Sequence, residues 1–289
     1  MPELPEVETI VRDLNKEVQG WTFFDVWTDF KKIIKKPKRF LQFKKELKNK
    51  KIKKVRRRAK NILFDLSEWK TLLIHQKMTG HLLVGQWQFK NGKWLPPAGP
   101  LSEKFNTFIH LLFTFKNTRM LALSDLRKFS KVELWDTKEL DGSEYVKKLG
   151  PEPLDKNFTF VKFKEIFQNK KDKIKQALMD QKVIAGIGNI YSDEILWEAK
   201  INPLRQTTVL TDKELKRVYL AIKRVLRKAI KLKGTSISDF RTISGEKGYY
   251  EKERKVYRRE NEKCKRCGSK IRRIKMGGRS AHFCPTCQK

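Results

Sequence analysis

Apolar positions near the start of the chain recur at helical spacing. Val7, Ile10, Val11, Leu14 and Val18 share one face, which predicts a helix over residues 5–18. Pro5 suits the first helical position, where no backbone donor is needed, and Glu6 and Glu8 complement the positive end of the helix dipole. The period then changes. Residues 21–30, 61–67, 71–78, 81–89, 105–115 and 119–125 are short apolar or alternating stretches separated by polar or Gly/Pro segments. That pattern predicts an antiparallel β-sandwich or barrel-like domain. It breaks at 141–155, a stretch with two prolines and two glycines that reads as a linker. Helical spacing returns in FVKFKEIFQ (160–168), DKIKQALMDQ (172–181), NIYSDEILWEA (189–199) and a long basic segment over 211–232, which Lys233-Gly234 terminates. Residues 235–262 predict a mobile loop followed by a strand, and residues 264–289 a separate cysteine module.

Charge narrows the partners. Lys and Arg total 67 against 33 Asp and Glu, a formal net charge of +34 over 289 residues. A field of this sign favours polyanions, nucleic acid above all, through phosphate neutralisation and counterion release. A lysine-biased genome would spread the same charge over solvated faces, but the run KKELKNKKIKKVRRRAK (44–60) is denser than solubility requires. No apolar run approaches the roughly 18 residues of a membrane span, and nothing resembles a signal peptide. The four cysteines all fall after residue 263, so no disulfide framework spans the chain and a reducing, intracellular location is expected.

Three features carry candidate chemistry. Cys264-x2-Cys267-x16-Cys284-x2-Cys287 supplies four thiolates, enough for a closed tetrahedral zinc site around a β-hairpin, with free or redox cysteines as the alternative. Such a zinc would be structural, since no coordination position stays open. The hairpin carries Arg272, Arg273, Lys275 and Arg279, which suits contact with phosphate. In AGIGNIYSDEIL (185–196) a Gly-rich turn leads into a helix near Asn189, with Lys170, Lys171, Lys173 and Lys175 upstream. This suits a phosphate clamp, though any helix–turn–helix can need such glycines. Third, Pro2 becomes a free secondary amine once Met1 is removed. An α-amino group titrates near about 8, so an appreciable fraction is unprotonated at neutral pH and can attack an electrophilic carbon. Glu3 is then a candidate proton-transfer partner. On composition alone, a rigid leader into the helix is the favoured reading of the stretch.

The opening MPELPEVETIVR resembles that of the bacterial formamidopyrimidine-DNA glycosylases, repair enzymes for oxidised purines. The likeness spans the chain: RAKNILFDL (58–66) resembles the family's lysine-bearing strand, HQKMTG (75–80) its methionine loop and SDLRKF (124–129) its Arg-x-Phe wedge. LMDQKVIAGIGNIYSDEIL (178–196) resembles its helix–two-turn–helix core and GGRSAHFCPTCQK (277–289) its zinc-finger end. The resemblance implies an α+β fold: an N-terminal helix plus β-sandwich domain over 1–136, a linker over 137–152, a helix–two-turn–helix domain over 153–236, and a lesion-loop and zinc-finger module over 237–289. It implies a bifunctional DNA glycosylase and AP lyase with one structural Zn2+. The partner is double-stranded DNA carrying oxidised bases or abasic sites, bound by a monomer across a basic cleft in a bacterial, nucleoid-associated cytoplasmic setting.

The resemblance also assigns roles. Pro2 would be the nucleophile at the sugar C1′, Glu3 the general acid/base, and Lys60 a phosphate contact assisting β-elimination. Met78, Arg127 and Phe129 would fill the gap left by the flipped nucleotide. Asn189, Lys170, Lys175 and Arg279 would hold DNA, Arg279 also assisting the second elimination. Glu6, Ser238 and Phe240 would line the lesion pocket, residues 235–250 resembling the loop that closes over the everted base. His75, His81 and His110 are expected to be structural.

The chain departs from the family pattern at Gln76-Lys77 before Met78, at Ser130 after Phe129, at Phe108 in place of the first histidine of His-x-His, and in lacking the glycine after Val256-Tyr257. These departures touch DNA contacts and loop geometry and leave the catalytic groups in place. The sister glycosylase for oxidised pyrimidines is disfavoured by the PELPEVET opening. A non-catalytic zinc-ribbon nucleic-acid-binding protein would explain the charge and cysteines, but not Pro2-Glu3 together with Lys60 and the wedge.

Overall fold

The computed structural model describes residues 2–237 and 239–289; Met1 and Ser238, the latter expected in the lesion pocket, lie outside the described residues. Contacts group the chain into two units, residues 1–147 with 232–251 and residues 148–231 with 252–289.

The first unit is the sandwich. Its helices are α1 (Leu4–Glu17) and α2 (Phe40–Leu47), and its main strands are β1 (Phe23–Thr28), β2 (Ile34–Lys36), β3 (Ile52–Arg58), β4 (Asn61–Leu66), β5 (Lys70–His75) and β6 (His81–Gly85). A small hairpin, β7 (Gln88–Lys90) and β8 (Lys93–Leu95), precedes β9 (Ile109–Phe115), β10 (Met120–Ser124) and β11 (Lys131–Asp136). One sheet has the order β1-β9-β10-β6 and the other β2-β11-β5-β4-β3; β2 and β11 pair parallel, the remaining neighbours antiparallel. Alternate residues of the two sheets, such as Ile62 and Phe64, Leu72 and Ile74, Leu111 and Phe113, and Leu121 and Leu123, meet in one core that α1 enters with Val7, Ile10, Val11 and Leu14. The opposite faces are also partly covered. Leu83, Leu112 and Ala122 lie under Trp27, Trp87 and Trp94, while Leu63 and Leu73 lie under Leu140 and Trp135. Two covered faces explain why TLLIH reads as a continuous apolar run instead of an alternating one.

Two elements were hidden beneath the basic run 44–60. Its first residues end α2, and its middle forms β3, an edge strand whose Ile52 and Val55 enter the core while lysines and arginines occupy other positions. Charged side chains on an edge strand discourage pairing with another chain, so part of this charge belongs to the fold. The expected linker likewise contains two short helices, α3 (Thr137–Gly142) and α4 (Glu144–Lys147).

The second unit contains α5 (Phe160–Gln168), α6 (Ile174–Met179), α7 (Asn189–Ala199) and α8 (Asp212–Lys231), followed by the hairpin β12 (Arg272–Met276) and β13 (Arg279–Phe283). Thr159 caps α5 by accepting Lys162 N–H, and Phe163 stacks on Phe167 with centroids 4.2 Å apart. One face of α8 buries Leu215, Val218, Ile222, Leu226 and Ala229; the other exposes Lys213, Lys216, Arg217, Arg224 and Arg227. Among the described residues, no helix is long and apolar enough to cross a membrane.

The grouping departs from boundaries at 236 and 237: residues 232–251 belong with the sandwich and 252–289 with the helical residues. Lys233 and Gly234 take positive φ (57° and 75°), reversing the chain after α8. Phe240 and Ile243 then enter the sandwich core, and Ile243 O accepts Val84 N–H at 2.8 Å. The strand expected after this loop is absent among the described residues; Thr235 and Tyr249 form a single bridge and residues 250–253 a 3-10 turn.

Candidate active site and nucleic-acid interface

Pro2, Glu3 and Glu6 are buried at the head of α1. Glu6 does more than complement the helix dipole. One carboxylate oxygen accepts Glu3 N–H at 2.9 Å and the other Thr235 N–H at 2.8 Å, so one side chain fixes both the residue after Pro2 and the start of the 235–249 loop. Gly234 must be glycine here: with φ at 75°, a Cβ would lie 2.7 Å from the Glu6 carboxylate.

Lys60 sits in the tight turn between β3 and β4, beside Ala59 (φ 53°), and is 6% exposed. The turn is tied to α1 through Arg57, whose Nε donates to Glu8 at 2.9 Å and whose Nη1 donates to Ala59 O at 3.0 Å. Burial raises the Glu8 pKa, but hydrogen bonds from Arg57 and Arg12 outweigh it and leave the group acidic. Close by, burial first, then the cations Lys77, Lys131 and Lys60, push His75 down to about 3. His75 is thus neutral at physiological pH, and its Nδ1 accepts Lys77 N–H at 2.9 Å.

The loops at 75–80 and 124–130 are fastened together. Buried Asp125 accepts the Thr79 hydroxyl, Arg127 N–H at 3.3 Å and Ser130 N–H at 2.7 Å, while Thr79 Oγ1 also accepts Arg127 N–H at 3.1 Å. This network holds half-buried Met78 in the same joined pair of loops as Arg127 and Phe129. The Arg127 guanidinium lies 4.5 Å from the Phe129 ring centroid, and that ring is 51% exposed, an apolar surface offered to solvent. Ser130 turns its hydroxyl onto Gln76 O at 3.1 Å, leaving so little room that a Cβ at Gly80 would come within 2.1 Å of it. The retained histidine of the His-x-His position, His110, pairs with Asp29 at 2.9 Å.

Gln76 is a local fault in this arrangement. It is 1% exposed, yet neither end of its amide has a hydrogen-bond partner among the described residues. Burying an unpaired amide costs about 1–3 kcal/mol. Gln76→Leu should therefore raise the melting temperature by several degrees, at roughly 2–4 °C per kcal/mol for a chain approaching this size. Thermal unfolding of the two proteins checks this, and a lower melting temperature would contradict it.

In the second unit, Asn189 opens α7 and its Oδ1 is buried with no partner among the described residues. It lines a pocket of about 470 Å3 with Tyr257, Arg258, Arg273 and His282. The start of α7 with two arginines beside it is suited to a phosphate, whose charge the Glu260 carboxylate in the same lining opposes. Arg279 is exposed at the tip of the β12–β13 hairpin, and Lys170 stays near the surface, 3.7 Å from Asp180. Lys175 departs from expectation. It is 1% exposed, and its ammonium donates to Asp193 and, at 2.9 Å, to Ser280 O. Asp193 also accepts His282 N–H at 3.0 Å and pairs with His282 Nδ1 at 2.9 Å. Lys175 therefore locks α6, α7 and β13 together and is not placed to grip a phosphate directly. The neighbouring Glu194 accepts three backbone N–H groups, from Lys255, Val256 and Tyr257, at 2.8–3.0 Å, while burial raises its pKa. Most positions of α7 are buried whichever face they occupy, so Asp193 and Glu194 must find their partners inside the protein.

The sulfurs of Cys264, Cys267, Cys284 and Cys287 lie within 4.8 Å of one another. That spacing fits four thiolates around one ion at about 2.3 Å each, and an all-thiolate tetrahedral set selects zinc. Trp197 of α7 donates its indole N–H to Cys264 Sγ at 3.4 Å, with the Arg266 guanidinium over its ring, so the metal module is joined to the helical layer. His282 is committed to Asp193 and is not needed as a ligand.

Known proteins match this organisation segment by segment. Residues 1–132 fit the formamidopyrimidine-DNA glycosylase N-terminal domain, 149–241 the formamidopyrimidine-DNA glycosylase H2TH domain, and 261–289 the zinc finger found in FPG and IleRS. The formamidopyrimidine-DNA glycosylase of Pelotomaculum thermopropionicum is 42% identical over 289 residues, covering 100% of this chain and 99% of its own. That of Listeria monocytogenes is 36% identical over 295 residues, with both chains fully covered. Among solved structures, a Lactococcus lactis FPG variant in complex with Fapy-dG-containing DNA superposes with a TM-score of 0.88 at 35% identity, covering 100% of both chains. The Lactococcus lactis Fpg complex with abasic-site DNA gives 0.87 at 35% identity over 99% of each. Matches to all three segments, with 36–42% identity to relatives over the whole chain, show that it belongs to the formamidopyrimidine-DNA glycosylase family.

Proposed function

We propose that this chain is a DNA glycosylase for oxidised purines that also cleaves the resulting abasic site, acting in base excision repair. The observation that carries the reading is the buried Pro2-Glu3 pair, fixed by Glu6 and tied through Glu8 and Arg57 to the turn that bears Lys60. With Met1 removed, the lone pair of the Pro2 amine attacks C1′ of the damaged nucleotide. The C1′–N bond breaks, and the base leaves with that electron pair and a proton. Glu3 manages the proton at the sugar ring oxygen as the ring opens. A secondary amine yields an iminium with no N–H, so it stays charged and draws electrons from C2′. Loss of a C2′ proton expels the 3′ phosphate, and a second elimination expels the 5′ phosphate. Lys60 and Arg279 serve the two phosphates. Water then releases the sugar fragment from Pro2, leaving a one-nucleotide gap.

Before this chemistry the nucleotide must leave the stack, which costs a few kcal/mol. Met78, Arg127 and Phe129 offer a flexible thioether, a planar cation and a ring to fill the space. Residues 235–250, with Glu6 and Phe240 at their base, close over the everted base. Zinc holds the hairpin that presents Arg279. The domain boundaries inferred above assign chemistry to residues 1–136 and duplex binding to the helical and zinc segments, acting as a monomer on nucleoid DNA in the cytoplasm.

The test is a single-turnover reaction on duplexes with 8-oxoguanine, a formamidopyrimidine or an oxidised pyrimidine. The reading expects the purine lesions to be cut fastest, leaving phosphates on both ends. Faster cutting of the pyrimidine lesion would favour the sister activity, and binding without cutting would leave a nucleic-acid-binding protein.

A further inference from the structure

Arg241 is the largest fully buried side chain of the described residues, 1% exposed, although its segment is polar and lies in the 235–249 loop. Its guanidinium forms a fork with Glu103, Nε to Oε2 at 2.7 Å and Nη2 to Oε1 at 2.5 Å, and Nη1 donates to Phe240 O at 2.8 Å. The Phe105 ring lies 5.2 Å away. Glu103 belongs to residues 99–107, two 3-10 turns between β8 and β9. A second fastening comes from the same segment. Fully buried Asn106 donates to Gly245 O at 3.2 Å and to Pro100 O at 2.7 Å, while its Oδ1 meets His81 Nε2 at 2.9 Å. Ser236 Oγ donates to Phe240 O at 2.7 Å and accepts Gly248 N–H at 2.8 Å, closing the base of the segment that carries Ser238.

The pair joins a buried guanidinium to a carboxylate that keeps 35% exposure, and such a pair is a weak source of stability, because desolvation and solvent screening offset most of the attraction. What a bidentate fork supplies is direction. The two partners lie 138 residues apart in sequence, and Arg241 adjoins Phe240, which enters the sandwich core. We infer that Glu103 and Arg241 are positioning residues for base excision: residues 99–107 are a strap that fixes the 240–246 side of the loop, so that its tip meets the flipped base in one geometry. This rests on the glycosylase reading above. An abasic sugar has no base to cover, so the strap should matter for excision and not for cleavage at a pre-formed abasic site.

The experiment compares the parent chain with Glu103→Gln/Arg241→Met, which removes both charges, and with Arg241→Lys, which keeps the charge and loses the fork. Each is assayed on 8-oxoguanine duplex and on abasic duplex, with melting temperature as the folding control. We expect both variants to melt near the parent, to excise 8-oxoguanine about tenfold more slowly, the scale of a modest misplacement, and to cleave abasic DNA at the parental rate. Parental excision rates, or excision and abasic cleavage falling together, would overturn the strap. A parent chain inactive on both substrates would overturn the glycosylase reading instead.

Discussion

Chains with threonine or glycine in place of Pro2 should bind damaged duplex but lose strand cleavage at both 8-oxoguanine and abasic sites, by about a thousandfold or more. Both variants can still present an amine, so the effect isolates what proline adds. A primary amine gives an imine that sheds its proton and its electron-withdrawing charge, whereas the iminium of a secondary amine has no proton to shed. The ring also restricts the backbone at the buried start of the chain. Folding should be little affected, because α1 begins at Leu4 and its first turn is held by Glu6, not by Pro2. Equal melting temperatures alongside lost cleavage are the expected pair of results. Substantial residual cleavage by both variants would show that another nucleophile does the work.

The second large effect is removal of the metal. Structural zinc contributes about 10–16 kcal/mol to the folding of a four-ligand module, far more than the small cluster of Trp197, Val256 and Ile271 around Cys264 and Cys284 can supply. Cys264→Ser, or treatment with a chelator, should unfold residues 261–289. The indole N–H bond from Trp197 to Cys264 Sγ is lost with it, and duplex affinity should fall about a hundredfold or more as the basic hairpin disperses. The sandwich has its own core, so its far-UV signature and melting transition should persist. Imine formation at saturating abasic DNA should suffer less than binding. The check is zinc content against Trp fluorescence and duplex affinity at two salt concentrations; full affinity without metal would refute the structural role.

The sequence made some of this legible and hid the rest for physical reasons. The strands at 61–66, 70–75, 109–115 and 120–124 and the helices at 160–168 and 189–199 lie where their apolar spacing puts them. The cysteine module is read by counting, since ligand spacing survives in sequence. By contrast, β3 lies in a run so basic that its two buried positions, Ile52 and Val55, were outvoted. Lys175 shows the opposite error. A lysine among lysines resembles a phosphate contact, and only the third dimension brings Asp193 and Ser280 O to it. Glu6 and Thr235 are 229 residues apart, and no local pattern can report that the head of α1 and the 235–249 loop share one carboxylate. Departures from the family pattern also had unequal consequences. Ser130 acquires a hydrogen-bond partner in Gln76 O, whereas the Gln76 side chain acquires none among the described residues.

A reaction that runs through the amine of Pro2 passes through a reducible iminium, which borohydride traps on 8-oxoguanine duplex. Reduction should trap a covalent protein–DNA adduct in the parent chain, and peptide mapping by mass spectrometry should place the sugar remnant on a Pro2 that has lost Met1. An adduct on a lysine such as Lys60, or an active chain that still carries Met1, would contradict the account.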